Sequence, residues 1–168
     1  MEQFVRERAR LARVPMVVEQ HTRRLHMPFR TAQAEWSGNL TEGKGHIKVQ
    51  SGTLDAPYDF RARTADGKGT NPEELIGAAH AGCFTMQLSA LLGQAGFTAE
   101  RLKTVAKVHL EKQGAGFAIP LIELELEGKV PGMSSADFQK HAETAKATCP
   151  VSKALGGVGT IMLSVKAV

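Results

Sequence analysis

The chain carries two thiols, Cys83 and Cys149, and each stands where sulfur could react. Cys83 lies in Ala79-His80-Ala81-Gly82-Cys83-Phe84-Thr85. Most free cysteines are small buried hydrophobes. Here Gly77, Ala78, Ala79, Ala81 and Gly82 leave the backbone upstream of the thiol thinly covered, so a substrate could approach. A helix break in that run would also set Cys83 at a new helix start, where the dipole and free N–H groups favour thiolate. Cys149 directly precedes Pro150. Proline lacks an N–H and suits the first turn of a helix, so Cys149 takes a cap position, a recurrent setting for a lowered thiol pKa. Burial as a hydrophobe is the alternative there too, but the position and the proline favour redox chemistry.

Other side chains serve or compete. His80-x-x-Cys83 puts two potential zinc ligands on one helix face with Cys149 as a third, yet Cys149 has no partner at ligand spacing. His80 is expected in the wall of the site and His141 on a surface helix. Arg61 and Arg63 share parity on a strand expected over residues 56–64, so both project from one face. Such a face is ordinarily solvated. Turned toward the cysteine, a guanidinium would stabilise thiolate and hydrogen-bond a peroxide oxygen, and Glu73 could orient it. Glu73 otherwise reads as an ordinary first-turn acid. It precedes Cys83 by ten residues, about 15 Å on a straight helix. One site therefore needs a helix interrupted near residues 77–79, long side chains, or a second subunit.

The elements that must position these groups are legible from periodicity. Short β-prone runs at residues 31–37, 45–51 and 56–64 are separated by turn residues such as Ser37-Gly38-Asn39 and Ser51-Gly52. Residues 105–112 and 120–127 alternate, with Ala106, Val108, Leu110, Ile122, Leu124 and Leu126 on one face and charged or polar groups on the other. That pattern predicts strands with one wet face, in an antiparallel rather than a parallel sheet, with a hairpin at residues 113–116 and a closing strand at 160–168. Asn71-Pro72-Glu73-Glu74 is a dense helix start. The run 75–95 that follows is apolar or small nearly all round, so that helix should be buried against the sheet or a second subunit. A second helix begins at Ser134 or Ser135, shows Phe138, His141, Ala142 and Ala145 on one face, and ends near Thr148. The expected class is α+β.

Composition narrows the function. The chain has 168 residues, 42% apolar and 23% charged, enough for one domain with a real core. Its net charge is +4, but residues 1–26, with six arginines against three glutamates, hold +3 of it. The nearly neutral remainder has one Trp and one Tyr, so nucleic-acid binding by the folded body is not expected. Residues 1–26 are read as a basic N-terminal extension, with a helix over 17–24, and residues 27–168 as the domain. No apolar stretch is read as reaching membrane-span length, and no secretory signal is visible, so a cytoplasmic protein away from membranes is expected. Two cysteines are not a disulfide framework.

Taken together, Thr70-Asn71-Pro72-Glu73-Glu74-Leu75-Ile76-Gly77-Ala78-Ala79-His80-Ala81-Gly82-Cys83-Phe84 closely resembles the signature of the OsmC/Ohr family of thiol-dependent hydroperoxide reductases. Thr148-Cys149-Pro150-Val151-Ser152-Lys153-Ala154-Leu155 resembles its second-cysteine motif, and Ala34-Glu35-Trp36-Ser37-Gly38 with Gly43-Lys44-Gly45 its opening. The resemblance covers about residues 30–168, and His80 with Cys-Pro-Val-Ser points to the osmotically inducible OsmC branch. It implies an intertwined homodimer with curved, largely antiparallel sheets around central buried helices and two sites at the interface. By the same resemblance Cys83 is the peroxidatic cysteine, Cys149 the resolving one and Glu73 the activating glutamate. Arg63 is the activating arginine, with Arg61 left open by parity. The implied reaction reduces an organic hydroperoxide to its alcohol through a Cys83 sulfenic acid and a Cys83–Cys149 disulfide, in oxidative and osmotic stress defence. A dithiol, the lipoyl type among them, restores both thiols, and no metal, flavin or haem is required. Ile76, Phe84, Met86 and Leu88 are expected as apolar walls selecting alkyl hydroperoxides over hydrogen peroxide. A non-enzymatic binding dimer and a redox sensor are the competing readings.

Overall fold

A computed structural model describes residues 29–168, apart from residues 66 and 68. The basic extension 1–26 and the helix expected over 17–24 lie outside the described residues. Three short strands come first: β1 (Ala32–Ser37), β2 (Lys44–Val49) and β3 (Asp55–Tyr58), an antiparallel meander in sequence order. A single helical turn, α1 (Arg61–Thr64), leads to the 23-residue helix α2 (Pro72–Gln94). β4 (Arg101–Gln113) and β5 (Gly116–Lys129) form a long hairpin, closed by a two-residue turn in which Gly114 takes φ of +59°. α3 (Ser135–Thr148) and the short α4 (Pro150–Ala154) then carry the chain to β6 (Thr160–Ala167). The class is α+β.

The start of α2 follows its sequence signal closely. The Asn71 side chain accepts the Glu74 N–H, Pro72 occupies the first turn, and Glu73 and Glu74 meet the positive helix end. α3 begins the same way, with Ser134 accepting from the Asp137 N–H. Phe84, Leu88 and Leu92 of α2, Leu124 and Leu126 of β5, and Phe138, Ala142 and Ala145 of α3 form one core cluster. Each large side chain buried there contributes about 1.5–3 kcal/mol. Gly128 allows the close approach of α3, since a Cβ at that position would lie 2.2 Å from the Phe138 ring. On the wet face of the hairpin, Arg101–Glu127, Lys107–Glu125 and His109–Glu123 pair diagonally across the strands.

Three expectations need correction. First, β5 and β6 pair in parallel, so the second sheet, ordered β4-β5-β6, is mixed. Alternation reports that one face is buried and is silent on strand direction; the α3–α4 crossover returns the chain to the same end of the sheet. Second, the strand expected over residues 56–64 ends at Tyr58. The Asp59 carboxylate accepts the Ala62 N–H at 2.8 Å and turns the backbone into α1, so Arg61 and Arg63 lie on a helical turn and the parity argument lapses. Third, α2 is long and apolar enough to cross a membrane by length and composition. Only its inward face, which includes Glu73 and His80, is buried, against β4, α3 and α4, and the opposite face is exposed rather than covered all round.

Candidate active site

α2 carries one group of interest at each of three levels. Glu73 stands in the first turn, His80 two turns on, and Cys83 nearly one turn further. The helix runs unbroken through residues 77–79, so Cys83 lies mid-helix. The interruption that would have given it a helix start of its own does not occur.

At the Cys83 level the two thiols meet. Cys149 Sγ and Cys83 Sγ are 3.2 Å apart across 66 residues of sequence, and both are free. Cys149 is fully buried, whereas Cys83 is half-buried. Cys149 ends α3 and caps α4, and its sulfur accepts the Ser152 N–H at 3.5 Å. Burial opposes the Cys149 thiolate, but the N–H of Ser152, the Cys83 thiol, the Ser152 hydroxyl and the Val151 N–H outweigh it and hold its pKa below the ordinary thiol value. Cys83 is pushed the other way, chiefly by burial, with the Val151 N–H acting against the rise. Arg63 is not among the groups that act on it.

His80, one turn before Cys83, is fully buried and places Nε2 2.8 Å from Ser152 Oγ. Burial lowers its pKa, so the ring is held neutral. Among the described residues no three His, Cys, Asp or Glu side chains gather as a metal site would need. His141 lies on the outer part of α3, its Nδ1 2.8 Å from the Asp137 carbonyl.

At the first-turn level Arg63 and Glu73 meet. The guanidinium grips the carboxylate with both ends, Nε to Oε2 at 3.2 Å and one terminal nitrogen to Oε1 at 2.7 Å. The Glu73 side chain is only 10% exposed, and the pair raises the Arg63 pKa, chiefly through the hydrogen bond to Glu73. Asn71 Nδ2 donates to the Ala62 carbonyl at 2.9 Å, tying α1 to the start of α2 and setting the arginine in place. Arg61, on the same turn, makes no such pair among the described residues.

Arg63 also lines an open pocket of about 260 Å³ with Trp36, Leu40, Tyr58, Asp59, Phe60 and Pro72. The rings of Trp36 and Tyr58 are 5.4 Å apart. The sequence reading placed the apolar wall elsewhere. Of the residues expected as a wall, Phe84 and Leu88 are fully buried in the core cluster against which Cys83 packs, Ile76 is half-buried and Met86 is exposed. The signal that could have found the pocket was the chain's single Trp and single Tyr falling on strands next to the arginines.

The chain thus brings together Cys83 with Cys149, and Arg63 with Glu73. The second pair stands about 15 Å along α2 from the first. Residues 65–163 match the family described as OsmC-like protein. Peroxiredoxin OsmC of Escherichia coli (strain K12) is 52% identical over 124 residues, covering 73% of this chain and 87% of that protein. The organic hydroperoxide resistance protein of Xanthomonas axonopodis pv. citri (strain 306) is 35% identical over 113 residues, covering 66% of this chain and 75% of that protein. In three dimensions the chain is similar to an organic hydroperoxide resistance protein from Elizabethkingia anophelis, with a TM-score of 0.61 and 26% identity over 83% of this chain and 96% of that one.

Proposed function

The chain belongs to the OsmC-like family and is a peroxidase, and on that premise we propose that it reduces organic hydroperoxides to alcohols in defence against oxidative and osmotic stress. The observation that carries the mechanism is the 3.2 Å separation of Cys83 Sγ and Cys149 Sγ. Cys83, the more accessible sulfur, attacks the peroxide oxygen as thiolate and becomes a sulfenic acid while the alcohol departs. Cys149 then displaces hydroxide from that sulfur, forming the disulfide, and a dithiol, of lipoyl type among others, restores both thiols by exchange. Thiols that cycle in this way suit the reducing cytoplasm.

Burial raises the Cys83 pKa, so this chemistry needs a cation, and none among the described residues of the same chain acts on Cys83. Arg63, held by Glu73, is the candidate, and the unbroken α2 keeps it away from Cys83 of its own chain. A homodimer resolves this by setting Arg63 and Glu73 of one copy beside Cys83 of the other. Two features support it: Ala78, Ala79, Gly82, Met86 and Ala90 leave an exposed small and apolar face on α2, and all six residues of β1 are exposed. The aromatic pocket beside Arg63 would then take the alkyl group of the substrate.

The test is hydroperoxide consumption with a dithiol reductant, using cumene hydroperoxide and hydrogen peroxide. Activity should favour cumene hydroperoxide, fall roughly a thousandfold or more in Cys83→Ser, and give over-oxidised Cys83 in Cys149→Ser. A folded wild type that consumes neither peroxide overturns the reading.

A further inference from the structure

His80 is fully buried on α2, and the mechanism above gives it no task. Its Nε2 lies 2.8 Å from Ser152 Oγ, although 72 residues separate the two in sequence. Ser152 is itself buried and bonds the Cys149 sulfur through its N–H. His80 thus holds the same residue whose N–H bonds the sulfur. His80, Ser152, Cys149 and Cys83 therefore form one hydrogen-bonded row running from α2 through α4 and back to α2.

We propose that His80 is a positioning residue for the resolving half-reaction, acting through Ser152 to orient the Cys149 sulfur toward oxidised Cys83; this rests on the peroxidase reading. A neutral imidazole has one N–H and one lone pair. With the proton on Nε2, the ring donates to Ser152 Oγ and so fixes the residue whose backbone N–H bonds Cys149 Sγ. Nδ1 is then a bare lone pair, and it has no hydrogen-bond partner among the described residues. The opposite tautomer would bury an N–H with no acceptor, the rarer situation in folded proteins.

The row favours the step by ordering one lone pair. Hydroperoxide has already oxidised Cys83 to the sulfenic acid. The Cys149 thiolate attacks the Cys83 sulfur, the S–S bond forms and the S–O bond breaks. The departing hydroxide combines with the proton that Cys149 gave up, leaving water. Among charged groups on the neighbouring helices, Lys146 of α3 reaches the Ile161 carbonyl and Lys153 of α4 is exposed, so the groups facing Cys149 are Cys83 and Ser152, with His80 behind it.

The experiment titrates Cys149 by its ultraviolet thiolate absorbance in a Cys83→Ser background, where it is the sole thiol. His80→Leu and Ser152→Ala should each raise the midpoint by about one pH unit, a tenfold loss of thiolate at a given pH. The two together should do no more than the larger alone, because they break one row. His80→Gln should restore most of the shift, since an amide N–H can also donate to the serine oxygen. With both thiols present, Ser152→Ala should slow disulfide closure about tenfold and let Cys83 sulfinic acid accumulate. An unmoved midpoint in Ser152→Ala, or additive shifts, overturns the proposal, and Ser152→Ala decides it if His80→Leu does not fold. No peroxide enters the titration, so its failure is distinct from that of the peroxidase reading, which shows as an inert wild type.

Discussion

Leu88 and Leu92 on α2 are fully buried, while every residue of β1 is exposed and Trp36 there keeps 36% of its surface open. The helical body, with the β4-β5-β6 sheet, owns the core and the two thiols. The β1-β2-β3 meander has little core of its own and borders Arg63 and the aromatic pocket. One region holds the two sulfurs 3.2 Å apart. The other presents a cation and apolar rings at a pocket left open among the described residues. The two sulfurs thus sit with the core, and Arg63 sits at its edge beside the aromatic pocket.

The sharpest way to break this comparison is at Arg63. Arg63→Ala should lower kcat/KM about a hundredfold, the scale of losing one charged stabiliser of the reacting group, while Arg61→Ala stays within about twofold. Co-refolding the weakened Arg63→Ala with inactive Cys83→Ser should raise activity above that of either alone, because one site of the proposed mixed dimer then has both groups; no gain would break the pairing across copies. Next in size is packing. Leu92→Ala should destabilise by about 2–5 kcal/mol in denaturant unfolding, against about 0.5 kcal/mol or less for Gln33→Ala on β1. A further effect belongs to His80. Burial lowers its folded pKa, so between that value and the ordinary one near 6.5 the unfolded state binds more protons. Stability should therefore be full above about pH 6.5 and fall as pH drops through that window, by at most about 1.4 kcal/mol per unit. Subtracting the profile of His80→Gln isolates it, and parallel profiles would show that the ring is not held neutral.

The sequence made some of this visible and hid the rest for definable reasons. The start of α2 was legible because Asn71, Pro72 and Glu74 act within one turn, and the hairpin because β4 and β5 each bury alternate residues. The direction of β6 was hidden, since a parallel strand with one covered face alternates like an antiparallel one. Arg61 and Arg63 were misplaced because a single carboxylate, Asp59, ended the strand early, and local alternation continued past it. The thiol separation lay beyond any local pattern, as it depends on how α3 and α4 pack back onto α2. Choosing Arg63 over Arg61 as the partner of Glu73 took a side-chain contact between α1 and α2.

The nearness of the two sulfurs also has a mechanical consequence. Closing them into a disulfide needs a contraction of only about 1 Å from 3.2 Å. The bond would fasten a loop of 66 residues that includes the whole β4–β5 hairpin and α3. Chain entropy alone gives such a clasp about 4 kcal/mol over the dithiol form. Each encounter with an oxidant would thus leave the protein harder to melt than before, and the reductant must unfasten a tightened molecule to make it ready again.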